Sequence, residues 1–336
     1  MPHYALLILP SANRVYGQAA PVLAAAELAV VLDGFVERPE VALIAKVPYL
    51  TFEAELLGDD AMHRIASLSS AYALFERDGE ALLPIELPRV ARFDDDLVTI
   101  PRYTGKTNEA FTALLVNVTR AAAGWPTDHM RLLDPVCGRG TTLSQGLLAG
   151  FRVAGIEIEG RAVDAYEQFL TTWLQDKRLK HTVHGGRIRR DGKVVGRRVD
   201  VVIGSSKAEL AGGGATSVTV VHDDARFATK HFSKRSFDLI VGDLPYGVQH
   251  GSGRGGERSR SPLALVQTAL EGWIEVLRPG GAIGLAFNTK ILPRPDLVAA
   301  LAAGGIEVRD SGPWLEFEHR VDRAIQRDLV VAVSSP

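Results

Sequence analysis

Cysteine is nearly absent. Cys137 is the single example in 336 residues, which excludes an intramolecular disulfide framework and a cysteine-rich zinc site. His222 and His250 stand alone, without partners at metal-ligand spacing, so no metal site is proposed from the sequence. No apolar run reaches the roughly 18 residues that a membrane span needs. The opening Met1-Pro2-His3-Tyr4 has no basic segment ahead of its short apolar run, so a cytoplasmic, non-membrane protein is expected. An excess of charge of one sign is also missing. With 38 Lys and Arg against 40 Asp and Glu the net charge is -2, so any nucleic-acid footprint has to be a local patch. Phosphate-binding glycine motifs are lacking too. Gly105-Lys106-Thr107 has no upstream glycine at P-loop spacing, and no Gly-x-Gly-x-x-Gly occurs. Thr107 or Asn108 is read instead as a helix cap.

What remains is ordinary globular material, 46% hydrophobic and 23% charged, long enough for two domains. Residues 1–90 read as strand, helix, two strands, helix and two strands: Tyr4–Ile8, Ala19–Leu32, Val41–Val47, Tyr49–Leu56, Asp59–Ser67, Ser70–Glu76 and Leu82–Ile85. That order predicts a small ferredoxin-like α+β domain. Residues 91–102, with Asp94-Asp95-Asp96, read as a linker. Residues 103–336 then alternate strand and helix, which predicts an α/β, doubly wound, Rossmann-like sheet. Its strands are Arg131–Asp134, Arg152–Glu157, Val218–Val221, Phe237–Val241 and Ala282–Phe287, with a terminal pair near Ile306–Asp310 and Asp328–Val333.

Four acids fall where these strands end: Asp134, Glu157, Asp224 and Asp243. Ligands of such sheets gather at the carboxyl ends of the strands. The first strand runs into Pro135-Val136-Cys137-Gly138-Arg139-Gly140-Thr141 and then a helix, and the glycines allow a ligand to approach bare backbone. Glu157 lies 17 positions beyond Gly140, near the roughly 20 expected of an acid that binds ribose hydroxyls. Glu157 is preferred to Glu159 because it ends the strand. Asp224 is preferred to Asp223 as an acceptor for an adenine amine because it directly precedes the Ala225-Arg226 turn. Ribose without phosphate binding argues against NAD and nucleoside triphosphates. Cys137 reads as a small buried packing residue of the same loop. The fourth strand ends in Asp243-Leu244-Pro245-Tyr246-Gly247, which places a carboxylate, a rigid proline and an exposed aromatic ring together.

With these residues in place, the second domain resembles the Rossmann-like S-adenosylmethionine-dependent N-methyltransferases. Asp134 to Thr141 is similar to their Asp-Pro-Phe-Cys-Gly-Ser/Thr-Gly-Thr cofactor loop, and Asp243 to Tyr246 to their catalytic Asp/Asn/Ser-Pro-Pro-aromatic motif. Leu244 replaces the usual first proline. Asp-Leu-Pro-Tyr-Gly resembles the variant of the THUMP-associated tRNA guanosine N2-methyltransferases, although no THUMP core is evident. The resemblance implies S-adenosyl-L-methionine as cofactor, held by Asp134, Cys137, Gly138, Gly140, Thr141, Glu157, Asp224 and Asp243. It implies an RNA substrate, tRNA foremost, methylated on an exocyclic amine. A DNA adenine-N6 or cytosine-N4 methyltransferase is the alternative enzyme, and a non-catalytic RNA-binding module with a retained cofactor fold is the alternative outside enzymes.

The residue types suit this chemistry. An exocyclic base amine is a poor nucleophile because its lone pair is delocalised into the ring. Acceptors on both N–H bonds, the Asp243 carboxylate and the Leu244 carbonyl, favour the tetrahedral nitrogen that attack requires, while Pro245 fixes the turn. Asp243 can then take the proton, and Tyr246 can stack on the base, worth about 1–3 kcal/mol.

Two basic segments could meet a polynucleotide. Residues 177–215 carry a run of cations around Arg190-Asp191-Gly192-Lys193, a hairpin turn signal. A projecting basic hairpin is expected, with Arg187, Arg189, Arg190 and Arg197 on phosphates. Residues 247–260, rich in glycine and containing Arg254, read as a mobile substrate loop.

Overall fold

The computed structural model describes all residues except 12, 126–129, 213, 247–260 and 336. The chain opens with β1 (His3–Ile8), α1 (Arg14–Val31), β2 (Glu37–Ile44), β3 (Val47–Glu53), α2 (Asp59–Ser67), β4 (Ala71–Asp78) and β5 (Ala81–Ile85). These strands form an antiparallel sheet in the order β2-β3-β1-β4-β5. It is the split βαβ arrangement read from the sequence, with β5 added at one edge.

α1 belongs to both halves of the molecule. Ala24, Leu28, Val31 and Leu32 pack with Leu6, Leu50 and Ile65 under the first sheet. Tyr16, Ala20, Leu23 and Val30 pack instead into the core of the second. Apolar side chains all round this helix are thus explained by two buried faces. Glu27 lies between them, fully buried, and accepts from Ser69 N, Ser69 Oγ and Asn117 Nδ2, the last at 2.8 Å.

The segment read as a linker is not a free tether. It contains α3 (Asp96–Thr99), and Phe93, Leu97 and Val98 are buried. The Asp96 carboxylate accepts from Trp173 Nε1 at 2.8 Å. An acidic run looked like a solvated connector, but its alternate apolar side chains anchor it.

The second half continues with α4 (Glu109–Ala122), β6 (Arg131–Asp134), α5 (Thr141–Leu148), β7 (Arg152–Glu157), α6 (Gly160–Asp176), β8 (Lys180–Arg190), β9 (Lys193–Gly204), α7 (Lys207–Gly212) and β10 (Thr216–His222). A 3₁₀ turn, Ala225–Phe227, leads to α8 (Ala228–His231), β11 (Phe237–Asp243), α9 (Pro262–Val276), β12 (Leu277–Asn288), α10 (Arg294–Ala303), β13 (Glu307–Arg309), β14 (His319–Arg320) and β15 (Gln326–Val333). The sheet order is β13-β15-β12-β11-β6-β7-β10-β9-β8, with β14 beside β15. The central strands β12, β11, β6, β7 and β10 are parallel. The chain leaves β6 towards β7 and β10, then returns to the other side of β6 with β11. The crevice at this reversal lies between the ends of β6 and β11. Helices α4, α5 and α6 cover one face, and α9 and α10 the other. α4 lies so close to β12 that a Cβ on Gly284 would come within 1.9 Å of Thr119 Oγ1.

The basic hairpin forms, but it does not stand off the body. β9 pairs along β10 from Thr216↔Ile203 to His222↔Arg197, so the hairpin extends the sheet. Its turn has positive φ at Asp191 (51°) and Gly192 (75°), as a two-residue hairpin turn requires. Alternating Val and Ile residues of β9 bury Val199, Val201 and Ile203 in the core, which fixes this register. Among the described residues no helix is long and apolar enough to cross a membrane.

Candidate active site

The loop after β6 is shaped by its glycines. Gly140 has φ 78° and precedes α5, and a Cβ there would lie 2.4 Å from the Tyr166 ring. Gly138 has φ 52°, and a Cβ there would meet open space. Cys137 is buried, and its sulfur packs against β7 where Gly155 leaves room, as read from the sequence. Burial pushes its thiol well above the ordinary range, which makes it an inert packing group. Tyr103 Oη and Thr141 Oγ1 share a hydrogen bond of 2.8 Å, and the Arg139 guanidinium lies 4.9 Å from the Tyr103 ring.

The four strand-end acids differ in their surroundings. Asp134 is buried and accepts from Val136 N at 3.0 Å. Burial pushes its carboxyl up to about 7, the nearby charges of Glu157 and Asp243 adding to the effect. Glu157 accepts from Gly138 N at 2.8 Å and Glu159 N at 2.7 Å. Burial again raises it, against those hydrogen bonds. Asp223 is committed to the protein: its Oδ2 accepts from Arg190 at 2.7 Å and pairs with His231 at 2.8 Å. Asp224 is less buried and pairs with Arg226 at 2.7 Å while capping the 3₁₀ turn.

Asp243 ends β11 next to the loop after β6. Thr107 Oγ1 donates to Asp243 Oδ2 at 2.5 Å, and the Tyr246 hydroxyl donates to Oδ1. Leu244 N donates to Ala286 O at 2.8 Å, its side chain is buried, and Pro245 is exposed. The Tyr246 ring is not the exposed platform that the sequence implied. Its hydroxyl accepts from Arg327 Nε at 2.7 Å, and the Arg327 guanidinium lies 5.3 Å from its ring. An arginine from the far end of the chain provides this partner, and nothing local to residues 243–247 announces it. Burial, then the charge of Asp243, raises the Tyr246 phenol.

The sequence reading missed Thr107, Arg327 and Tyr103. Asn108 caps α4 by accepting from Phe111 N, which leaves the Thr107 hydroxyl for Asp243. The tandem Thr107-Asn108 was visible, but one helix needs only one cap. The positions expected to contact nucleic acid are scattered. Arg190 bonds Asp223 and lies 3.9 Å from the Phe227 ring. Arg197 pairs with Asp164 at 2.5 Å and Glu167 at 2.6 Å. Arg189 donates to Gly192 O across its own turn, and Arg187 is exposed. Arg254 and the glycine-rich loop lie outside the described residues.

A parallel sheet reversed at β6, closed by the antiparallel β15 between β12 and β13, with a glycine loop and Asp-Leu-Pro-Tyr at the reversal, defines a Rossmann-like methyltransferase. Residues 103–293 match the UPF0020 family model, described as an RMKL-like methyltransferase domain. The chain belongs to that family and is an S-adenosylmethionine-dependent methyltransferase. No curated protein matches the sequence. Among solved structures the chain is similar to TrmN from Thermus thermophilus (15% identity, TM-score 0.45, covering 99% of this chain and 100% of that one). It is also similar to an rRNA methylase from Streptococcus thermophilus (12%, 0.35, 64% and 92%). A third is the 1,6-didemethyltoxoflavin N1-methyltransferase of Burkholderia thailandensis (15%, 0.40, 68% and 80%).

The residues present fit the cofactor. The open space at Gly138 leaves room against bare backbone, and the Glu157 carboxylate beside it suits paired hydroxyls. S-adenosylmethionine supplies a methyl group made electrophilic by its sulfonium.

Proposed function

We propose that this enzyme methylates an exocyclic base amine of RNA, foremost the N2 amine of guanosine in tRNA. The observation that carries the reading is Asp243 at the end of β11, beside the glycine loop at the reversal of the sheet. Asp134, Cys137, Gly138, Gly140, Thr141, Glu157 and Asp224 are assigned to the cofactor, with Asp243 at its methyl end. Asp243 and the Leu244 carbonyl accept the two N–H bonds of the amine, and Pro245 holds that carbonyl in place. Asp243 takes the proton as the nitrogen becomes tetrahedral. Tyr246 stacks on a base taken out of its own stack. Most of the acceleration comes from alignment, not from a strong base. Arg187 and Arg189 are the hairpin residues best placed to meet phosphate, since Arg190 and Arg197 are held in ion pairs. Leu244 in place of proline favours RNA over DNA.

Tritiated methyl transfer to total tRNA and to genomic DNA tests the reading. Transfer to tRNA alone is expected, and Asp243→Ala should lower it at least a thousandfold while retaining cofactor binding by calorimetry. Transfer to DNA alone, or normal turnover by Asp243→Ala, would sink it.

A further inference from the structure

Arg327 is 4% exposed, an extreme value for an arginine, and it lies deep behind the site. Its strand, β15, is antiparallel and last in the chain, yet it delivers the side chain to the end of β11. The guanidinium lies 4.9 Å from the buried Phe111 ring and 5.3 Å from the Tyr246 ring. Nε donates to the Tyr246 hydroxyl, and a terminal nitrogen stands 3.6 Å from Asp243 Oδ2. A buried cation needs a paired anion, and the carboxylate nearest to it is Asp243. Tyr246 completes the cluster by donating to Asp243 Oδ1 while accepting from Arg327. Thr107 occupies Oδ2. Both oxygens of the carboxylate assigned to the substrate amine therefore already hold hydroxyl donors.

We propose that Arg327 is a positioning residue for methyl transfer. It latches the Tyr246 hydroxyl onto Asp243 Oδ1, so that an entering base exchanges its N–H for the Tyr246 O–H. The released Tyr246 ring then stacks on the base. This rests on the proposed reading of Asp243 as the acceptor of the amine. The buried guanidinium and the Asp243 carboxylate balance each other's charge. The other groups facing Asp243 do not replace it. Asp134 after β6 is an acid, Thr107 before α4 is uncharged, and Tyr246 is a phenol held neutral. His319 on β14, turned to Phe317 O and beside Arg327, is held neutral by burial and by that cation. The Phe111 ring fixes the plane of the guanidinium, which a lysine ammonium could not match.

Three variants of the full chain test this. Arg327→Gln should lower kcat for RNA methylation at least tenfold with little change in KM for S-adenosylmethionine. Its affinity for S-adenosylhomocysteine should be unchanged. Arg327→Lys should restore only part of kcat. Tyr246→Phe removes the hydroxyl that competes for Oδ1, so its affinity for RNA, measured by filter binding, should rise severalfold. That arm needs no turnover and stands even if the arginine variants fail to fold. An active wild type and a dead Asp243→Ala, with Arg327→Gln keeping the wild-type kcat, would overturn the positioning role alone. Weaker or unchanged RNA binding by Tyr246→Phe would remove the latch. A wild type inactive on every RNA would overturn the functional reading, and this proposal with it.

Discussion

Two glycines two positions apart in one loop do different things. Gly140 is required by the fold, because its φ is positive and the Tyr166 ring occupies the place of a Cβ. Gly138 is instead proposed to serve the ligand, because a Cβ there would meet only open space, which the proposed reading gives to the cofactor. Gly138→Ala should therefore fold with a loss of about 1 kcal/mol from its positive φ, yet bind S-adenosylhomocysteine at least tenfold more weakly. Gly140→Ala should lose more stability than Gly138→Ala, because the Tyr166 ring has to move. Thermal melts and titration calorimetry on the same preparations separate the two, and equal losses in both measurements would refute the division. At this scale the sequence was most legible where a residue type has a strong local meaning. Glycine turns, strand-end acids and a proline after an aspartate could all be picked out. The partners of Asp243 could not, since Thr107 and Arg327 reach it from distant positions and neither stands in a motif.

The hairpin shows the same limit at the level of an element. Its turn was legible because Asp-Gly favours positive φ at both central positions. Its attachment was not, because pairing with β10 depends on which face of β9 meets the core. The cations that made it look like an arm divide accordingly. Arg197→Glu should loosen the hairpin from Asp164 and Glu167 on α6, read as faster hydrogen exchange in β8 and β9. Replacing Arg187 and Arg189 together by Glu should weaken RNA binding and flatten the slope of log K against log salt by about 1.5. An unchanged slope would remove the hairpin from the RNA footprint. Helix α6 itself, Gly160–Asp176, escaped the sequence reading because Glu159 offers no side-chain cap and polar residues interrupt its apolar stripe.

Across the whole molecule, α1 joins the two sheets, and Glu27 is the polar group buried at that junction. Burial pushes its carboxyl up to about 7, against hydrogen bonds from Ser69 and Asn117. A folded-state value above the unfolded one means that the folded protein holds the proton more tightly. The resulting stability is fully present below the unfolded value of 4.5 and is lost as pH rises through 7. For Glu27 the loss is about 3 kcal/mol, from 4.5 to about 7 at 1.36 kcal/mol per unit. Asp134 acts in the same direction. Glu27→Gln should match the wild type near pH 4 and exceed it by about that amount near pH 8.5 in urea unfolding. A parallel pH dependence of the two proteins would exclude this role. The order of elements in both sheets was legible because hydrophobic period and turn residues repeat through the chain. The sharing of α1 was not, since a helix apolar on two faces looks the same whether it is buried once or twice.

The proposed reaction leaves a chemical product that names both base and atom. Purified enzyme, S-adenosylmethionine and unmodified tRNA transcripts, digested and resolved by nucleoside mass spectrometry, should yield N2-methylguanosine with the wild type and none with Asp243→Ala. Methylated adenine or cytosine in DNA, with guanosine in RNA untouched, would contradict the assignment of Asp243, Leu244 and Tyr246 to a guanosine amine.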